Sequence, residues 1–152
     1  MKIPPKKPPA SRLRLEADFI AWERFKHSFI LDHGNLRAFL DLYDRYEGKF
    51  VFDKTANRLA IVLGEDVPHR ILVQALRIYP AENEKMIGAV IHFEKKAGVI
   101  RFELSGDSSM FGKPSEGEMR HVADYLVELL LKLDLTATIE PAPYSLFISA
   151  KQ

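Results

Sequence analysis

Polar and apolar positions alternate with a period of two in three pairs of segments and with a helical period in four others. The clearest pair spans residues 89–104, where Ala89, Ile91 and Phe93 alternate against Ile100, Phe102 and Leu104 around Lys95-Lys96-Ala97-Gly98. This predicts a β-hairpin with one apolar face. His92, Glu94, Arg101 and Glu103 fall on the other face, with His92 expected opposite Arg101. A similar hairpin is expected earlier: Phe50 and Phe52 share a face with Leu59, Ile61 and Leu63 across a Lys54-Thr55-Ala56-Asn57 turn. The third pair, Thr136 to Glu140 and Ser145 to Ala150, closes around Pro141-Ala142-Pro143. Arg12-Leu13-Arg14-Leu15 alternates briefly and reads as a short edge strand.

The helical segments show a different spacing. Between Ala17 and Leu31, the aromatic residues Phe19, Trp22, Phe25 and Phe29 recur every three or four positions, which predicts an amphipathic helix with an aromatic stripe. After the His33-Gly34-Asn35 break, Asn35 is placed to cap a second helix through Tyr46, with Gly48 as its stop. Asp66 caps a third helix that has Pro68 in its first turn and runs to about Ile78, where Pro80 ends it. The last is the longest. Ser115-x-x-Glu118 has the form of a capping box, and the helix is expected to reach about Leu133. Its apolar arc is wide: Met119, Val122, Leu126, Leu129 and Leu133 keep the helical spacing, and Ala123, Val127, Leu130 and Leu131 broaden it.

Hairpins alternating with helices specify an α+β fold: an antiparallel sheet of about six strands with helices packed on one face. Helix–strand–strand wiring occurs at 67–104 and again at 115–150, without a convincing repeat of the residues themselves. A chain of 152 residues fits one domain. The expected division is a basic, proline-rich tail at 1–10 and a single α+β domain over 11–152.

Composition sharpens this picture in two places. There is no cysteine, which excludes disulfides, thiolate catalysis and thiolate metal sites and suits a reducing cytoplasm. The formal net charge of +1 conceals an asymmetry. Residues 1–14 hold five basic side chains (Lys2, Lys6, Lys7, Arg12, Arg14) and no acid, so the rest of the chain carries a net −4. Such a tail offers weak attraction to an acidic partner or to nucleic acid. No apolar run is long enough to cross a bilayer, so no membrane association is expected.

Candidate chemistry is sparse. The Gly106–Ser115 loop joins a strand to a helix start, where backbone N–H groups and the helix dipole favour an anion, and Lys113 and Ser115 are its candidate anion-binding residues. Five residues separate its glycines, and Pro114 parts Lys113 from Ser115, so it does not have the spacing of a nucleotide-binding loop. Glu47-Gly48-Lys49-Phe50-Val51-Phe52 echoes the aromatic strand of RNA-recognition sheets, though Phe50 and Phe52 are more simply core residues. The five histidines and the carboxylates show no metal-ligand or acid–base spacing. No catalytic residue, metal site or cofactor is therefore expected.

What remains is a surplus of apolar helix surface over a modest sheet. Large exposed apolar patches mark association sites. The expectation is a non-enzymatic protein-interaction module, regulatory, chaperone-like or immunity-type, that binds a protein partner or itself as a homo-oligomer. Trp22, Phe25 and Phe29 are its candidate interface residues, with Leu129 and Leu133 as the alternative patch. The competing expectation is a small-molecule or anion-binding domain using a helix–sheet groove and the 106–115 loop. A nucleic-acid binder guided by the tail, or an enzyme with a site assembled from distant loops, follows behind.

Overall fold

The computed structural model describes residues 29–63, 86–106 and 112–152 of the chain. They form one antiparallel sheet of seven strands: β1 (Phe29–Leu31), β2 (Arg45–Asp53), β3 (Arg58–Leu63), β4 (Met86–Lys96), β5 (Val99–Ser105), β6 (Ala137–Ala142) and β7 (Ser145–Lys151). The strands lie in the order β1-β3-β2-β4-β5-β7-β6. Two helices are described, α1 (Leu36–Leu42) and α2 (Glu116–Leu131), and both pack on the same face of the sheet. The fold is therefore α+β, with hairpins building the sheet.

Each expected hairpin is present in its expected register or close to it. In the first, Phe52 faces Leu59 and Phe50 faces Ile61. In the second, the turn tightens to two residues, Ala97 and Gly98, with φ of 53° and 78°. Two successive left-handed residues make the turn whose twist matches the flanking strands, which is why a glycine stands there. That turn pairs His92 with Glu103 and Glu94 with Arg101. His92 therefore does not sit opposite Arg101: the turn is two residues long, and that length sets the register. The third hairpin turns on Pro143-Tyr144, with Ala142 paired to Ser145.

Three local expectations give way. Phe29-Ile30-Leu31 is an edge strand paired with β3, not the end of a helix. A short run of consecutive apolar residues satisfies both periods, and pairing decides between them. The helix expected from Asn35 to Tyr46 stops at Leu42, and Gly48 lies within β2 rather than at a helix terminus. Asn35 precedes α1 but does not cap it with its side chain. Its side-chain oxygen accepts the Asp32 N–H at 2.8 Å, and its amide nitrogen donates to the Ile30 carbonyl. This fastens the loop between β1 and α1. The expected strand at 12–15, the helix at 67–78 and the tail lie outside the described residues.

The core sits between the helices and one face of the sheet. Phe39 of α1 packs with Tyr43, Tyr46, Phe93 and Phe102 in an aromatic cluster with centroid separations of 5.1 to 6.4 Å. Val122, Ala123, Leu126, Leu129 and Leu130 of α2 complete it, against Ile100, Leu104, Ile148 and Ala150. Phe50 and Phe52 are fully buried here, so neither ring is available to stack on a base. The second face of the sheet is divided. Val51, Ala60, Val62 and Met86 are buried, whereas Glu47, Arg101 and other polar side chains reach solvent toward β5 and β7.

Candidate functional site

The first turn of α2 is where sequence and geometry converge. Ser115 Oγ accepts the Glu118 N–H, and Glu118 Oε1 accepts the Ser115 N–H, both at 3.1 Å. This is the expected capping box, worth about 1 kcal/mol to the helix. Glu118 also meets Lys54 of the β2–β3 turn at 3.2 Å. The Ser115 backbone N–H, with Lys54 in support, holds the Glu118 carboxyl below its ordinary range against the opposing effect of burial. The helix start is thereby locked to the sheet.

At about 100° per residue, the two flanks of α2 diverge. Glu118, His121 and Tyr125 face the β1–β3–β2 side. There His121 Nε2 lies 3.4 Å from Asn57 Oδ1, and the Tyr125 hydroxyl donates to the Leu31 carbonyl at 3.0 Å. Glu116, Arg120, Val127 and Leu131 lie along the other flank, toward β6.

Between that second flank and the β6–β7 hairpin runs a groove of about 790 Å³. Met119, Pro141, Ala142 and Leu146, with Pro114 and Pro143, give it an apolar lining. Lys113 and Arg120 bring two cations to its rim, and Glu116 brings one carboxylate. Tyr144, at the hairpin apex, is 88% exposed and borders the same space. Among the described residues Arg120 pairs with Asp124, at 3.2 Å and with both side chains open to solvent, so a ligand can draw it away at little cost. The size and composition are those of small-molecule sites: an apolar surface with a few convergent polar groups.

Both expected anion-binding residues line this groove, though in unequal roles. Lys113 lines the groove and is exposed to solvent. Ser115 also lines it, but its hydroxyl and N–H are both engaged in the capping box, so the second polar contact falls to Arg120. Arg120 and Tyr144 were not singled out in the sequence. Arg120 could have been, since it stands one turn past the cap on the same flank as Glu116. Tyr144 required the hairpin to turn at Pro143-Tyr144.

Of the expected interface residues, Trp22 and Phe25 lie outside the described residues. Phe29 pairs with Ile61 in β1. Leu129 is 3% exposed within the core, and Leu133 is half-buried against it. The exposed apolar side chain of α2 is Leu131, at 60%. Among the described residues, no three His, Asp or Glu side chains converge closely enough to hold a metal ion, and no helix is long and apolar enough to cross a membrane. The chain matches no protein-family model, no curated protein and no solved structure.

Proposed function

We propose that this domain is a binding module whose ligand occupies the groove between the start of α2 and the β6–β7 hairpin. The ligand class is an amphipathic anion: an aromatic or aliphatic body with one carboxylate or phosphate. The observation that carries this reading is the joint presence of an apolar lining and two solvent-accessible cations, Lys113 and Arg120, around a space of about 790 Å³. The body would lie on Met119, Leu146 and the Tyr144 ring, and the charge would meet the cations at the rim.

The test is amide chemical-shift mapping with phenyl phosphate, decanoate and inorganic phosphate. The amphipathic anions are expected to shift Gly117, Arg120, Tyr144 and Ser145 together, with inorganic phosphate much weaker. Shifts absent from these residues at millimolar concentrations of all three probes would dispose of the groove.

A second reading, a protein-interaction module, is favoured by a separate observation. Leu131 is exposed on the α2 flank that overlooks the outermost strand. The anchors for such a partner are then Leu131 and the β6 edge, not Leu129, whose side chain the core already uses.

A further inference from the structure

A second hollow, of about 430 Å³, adjoins the groove across α2 and is bordered by Asn57, Gly117, Arg120, His121, Asp124 and Glu128. Gly117 and Arg120 line both spaces, so the two meet over the first turns of the helix. Their linings differ in kind. The groove holds the apolar surface and the cations Lys113 and Arg120, whereas the hollow adds the carboxylates of Asp124 and Glu128.

Gly117 keeps the ridge between them bare. A Cβ there would meet nothing closer than Ser115 Oγ, at 3.9 Å, so packing does not demand a glycine. Its backbone is helical, and glycine is among the least favourable residues in a helix. What it supplies is open space over the first turn. Helical side chains lean toward the N-terminus, so Arg120 and Asp124, on the next two turns, slope back toward that space.

Arg120 and Asp124 couple the two spaces electrically. They form an ion pair at 3.2 Å, with each side chain 59% exposed. When Arg120 turns to a ligand's anion, Asp124 loses its cation and is left beside Glu128, four residues on. Like charges at that spacing repel. The field on this side has the same sign. The Tyr125 hydroxyl, which also borders the hollow, is raised above its ordinary pKa by burial first and then by the charges of Asp32 and Glu128. A ligand that brings its own cation restores the balance, because that cation takes the place of the guanidinium beside Asp124.

We propose that the ligand of the groove is a zwitterion with an apolar body, whose anion takes Arg120 and whose ammonium crosses Gly117 to Asp124. This rests on the groove being the binding site, and it names the head group that the site selects. Two sources share this chemistry: a free apolar α-amino acid and an aminoethyl phosphodiester of the kind found in lipid head groups.

The experiment is amide-shift titration of the full-length chain with two matched pairs. One sets 3-phenylpropanoate against phenylalanine, and the other sets hexyl ethyl phosphate against its aminoethyl counterpart. In one pair the ammonium should tighten binding about three- to fivefold at low salt, and that pair identifies the source. Asp124→Asn, an exposed change, should reverse the order. The plain anion then binds more tightly than to the parent, because Arg120 is released, while the zwitterion loses its advantage. Gly117→Leu should leave Tm no lower and weaken the zwitterion at least threefold. The inference is overturned, and the groove retained, when both plain anions bind as tightly as their zwitterions. It is overturned equally by an unchanged ratio in Asp124→Asn or by full zwitterion binding in Gly117→Leu. Binding of none of the four compounds removes the groove along with it.

Discussion

A Cβ atom built on Gly48 would lie 2.0 Å from the carbonyl oxygen of Val62 on the neighbouring strand, and 3.0 Å from the Tyr46 ring. The glycine in the middle of β2 is thus required by close backbone approach, not by a turn. The contact is with backbone, which cannot rotate aside. Gly48→Ala is expected to cost about 1–3 kcal/mol, the range for overpacking a well-filled site. Urea denaturation should show the midpoint fall with an unchanged slope. An unshifted midpoint would mean that the two strands are not held at this separation.

Gly48 also shows where the sequence stops being legible. A glycine after an amphipathic stretch reads as a helix stop, and nothing local distinguishes that from a strand position pressed against a neighbour's carbonyl. The three hairpins were legible because their alternation and turn residues are local signals. The capping box at Ser115 and Glu118 was legible for the same reason. The identity of β1 was not: Phe29-Ile30-Leu31 satisfies both a helical stripe and a strand, and pairing with Leu59–Ile61 decides it. The groove was half-legible. Its Lys113 side belongs to a strand-to-helix loop visible in the chain, whereas Tyr144 enters only when a hairpin about 30 residues later folds back beside the helix. The burial of Leu129 follows from the sheet's width, since seven strands give a wide apolar arc more to cover than six.

Lys95 Nζ donates to the Leu40 carbonyl at 2.7 Å and lies 3.6 Å from Asp44. This cation serves the C-terminal end of α1, where carbonyls lack partners and the dipole favours positive charge. At seven residues, α1 has little stability of its own. Lys95→Met keeps most of the apolar stem and removes the donor. It is expected to lower stability by about 1–2 kcal/mol and to speed amide exchange selectively in residues 39–43. Uniform exchange rates across the domain would show that the lysine does not hold this turn.

The lowered pKa of Glu118 makes part of the stability depend on pH, and the sign is determined. A carboxyl whose folded pKa lies below its unfolded value contributes stability that is complete above the unfolded value of 4.5. That contribution is lost as pH falls from there through the depressed folded value. Glu118→Gln keeps the size of the side chain but removes this titration. The difference in unfolding free energy between parent and variant should be constant from pH 8 to about 6 and shrink below pH 4.5. A gap that widens on acidification would contradict the interaction with Lys54 and the Ser115 N–H.

Ligand occupancy of the groove should stabilise the fold by mass action. At a ligand concentration a hundred times Kd, the gain is about 2.7 kcal/mol, which for a chain of this size raises Tm by roughly 5–10 °C. The two halves of the site should separate by mutation. Arg120→Ala removes a solvent-exposed charge and is expected to weaken anion binding about fivefold, with the loss growing smaller in high salt. Tyr144→Ala removes an aromatic surface and should weaken binding about three- to tenfold, with little dependence on salt. Both side chains are exposed, so neither variant should lower the Tm of the free protein by more than about 2 °C. Equal salt dependence in the two variants would mean that Arg120 does not meet the ligand's charge, and the anionic half of the proposal would fall while the apolar half remained open to test with uncharged analogues.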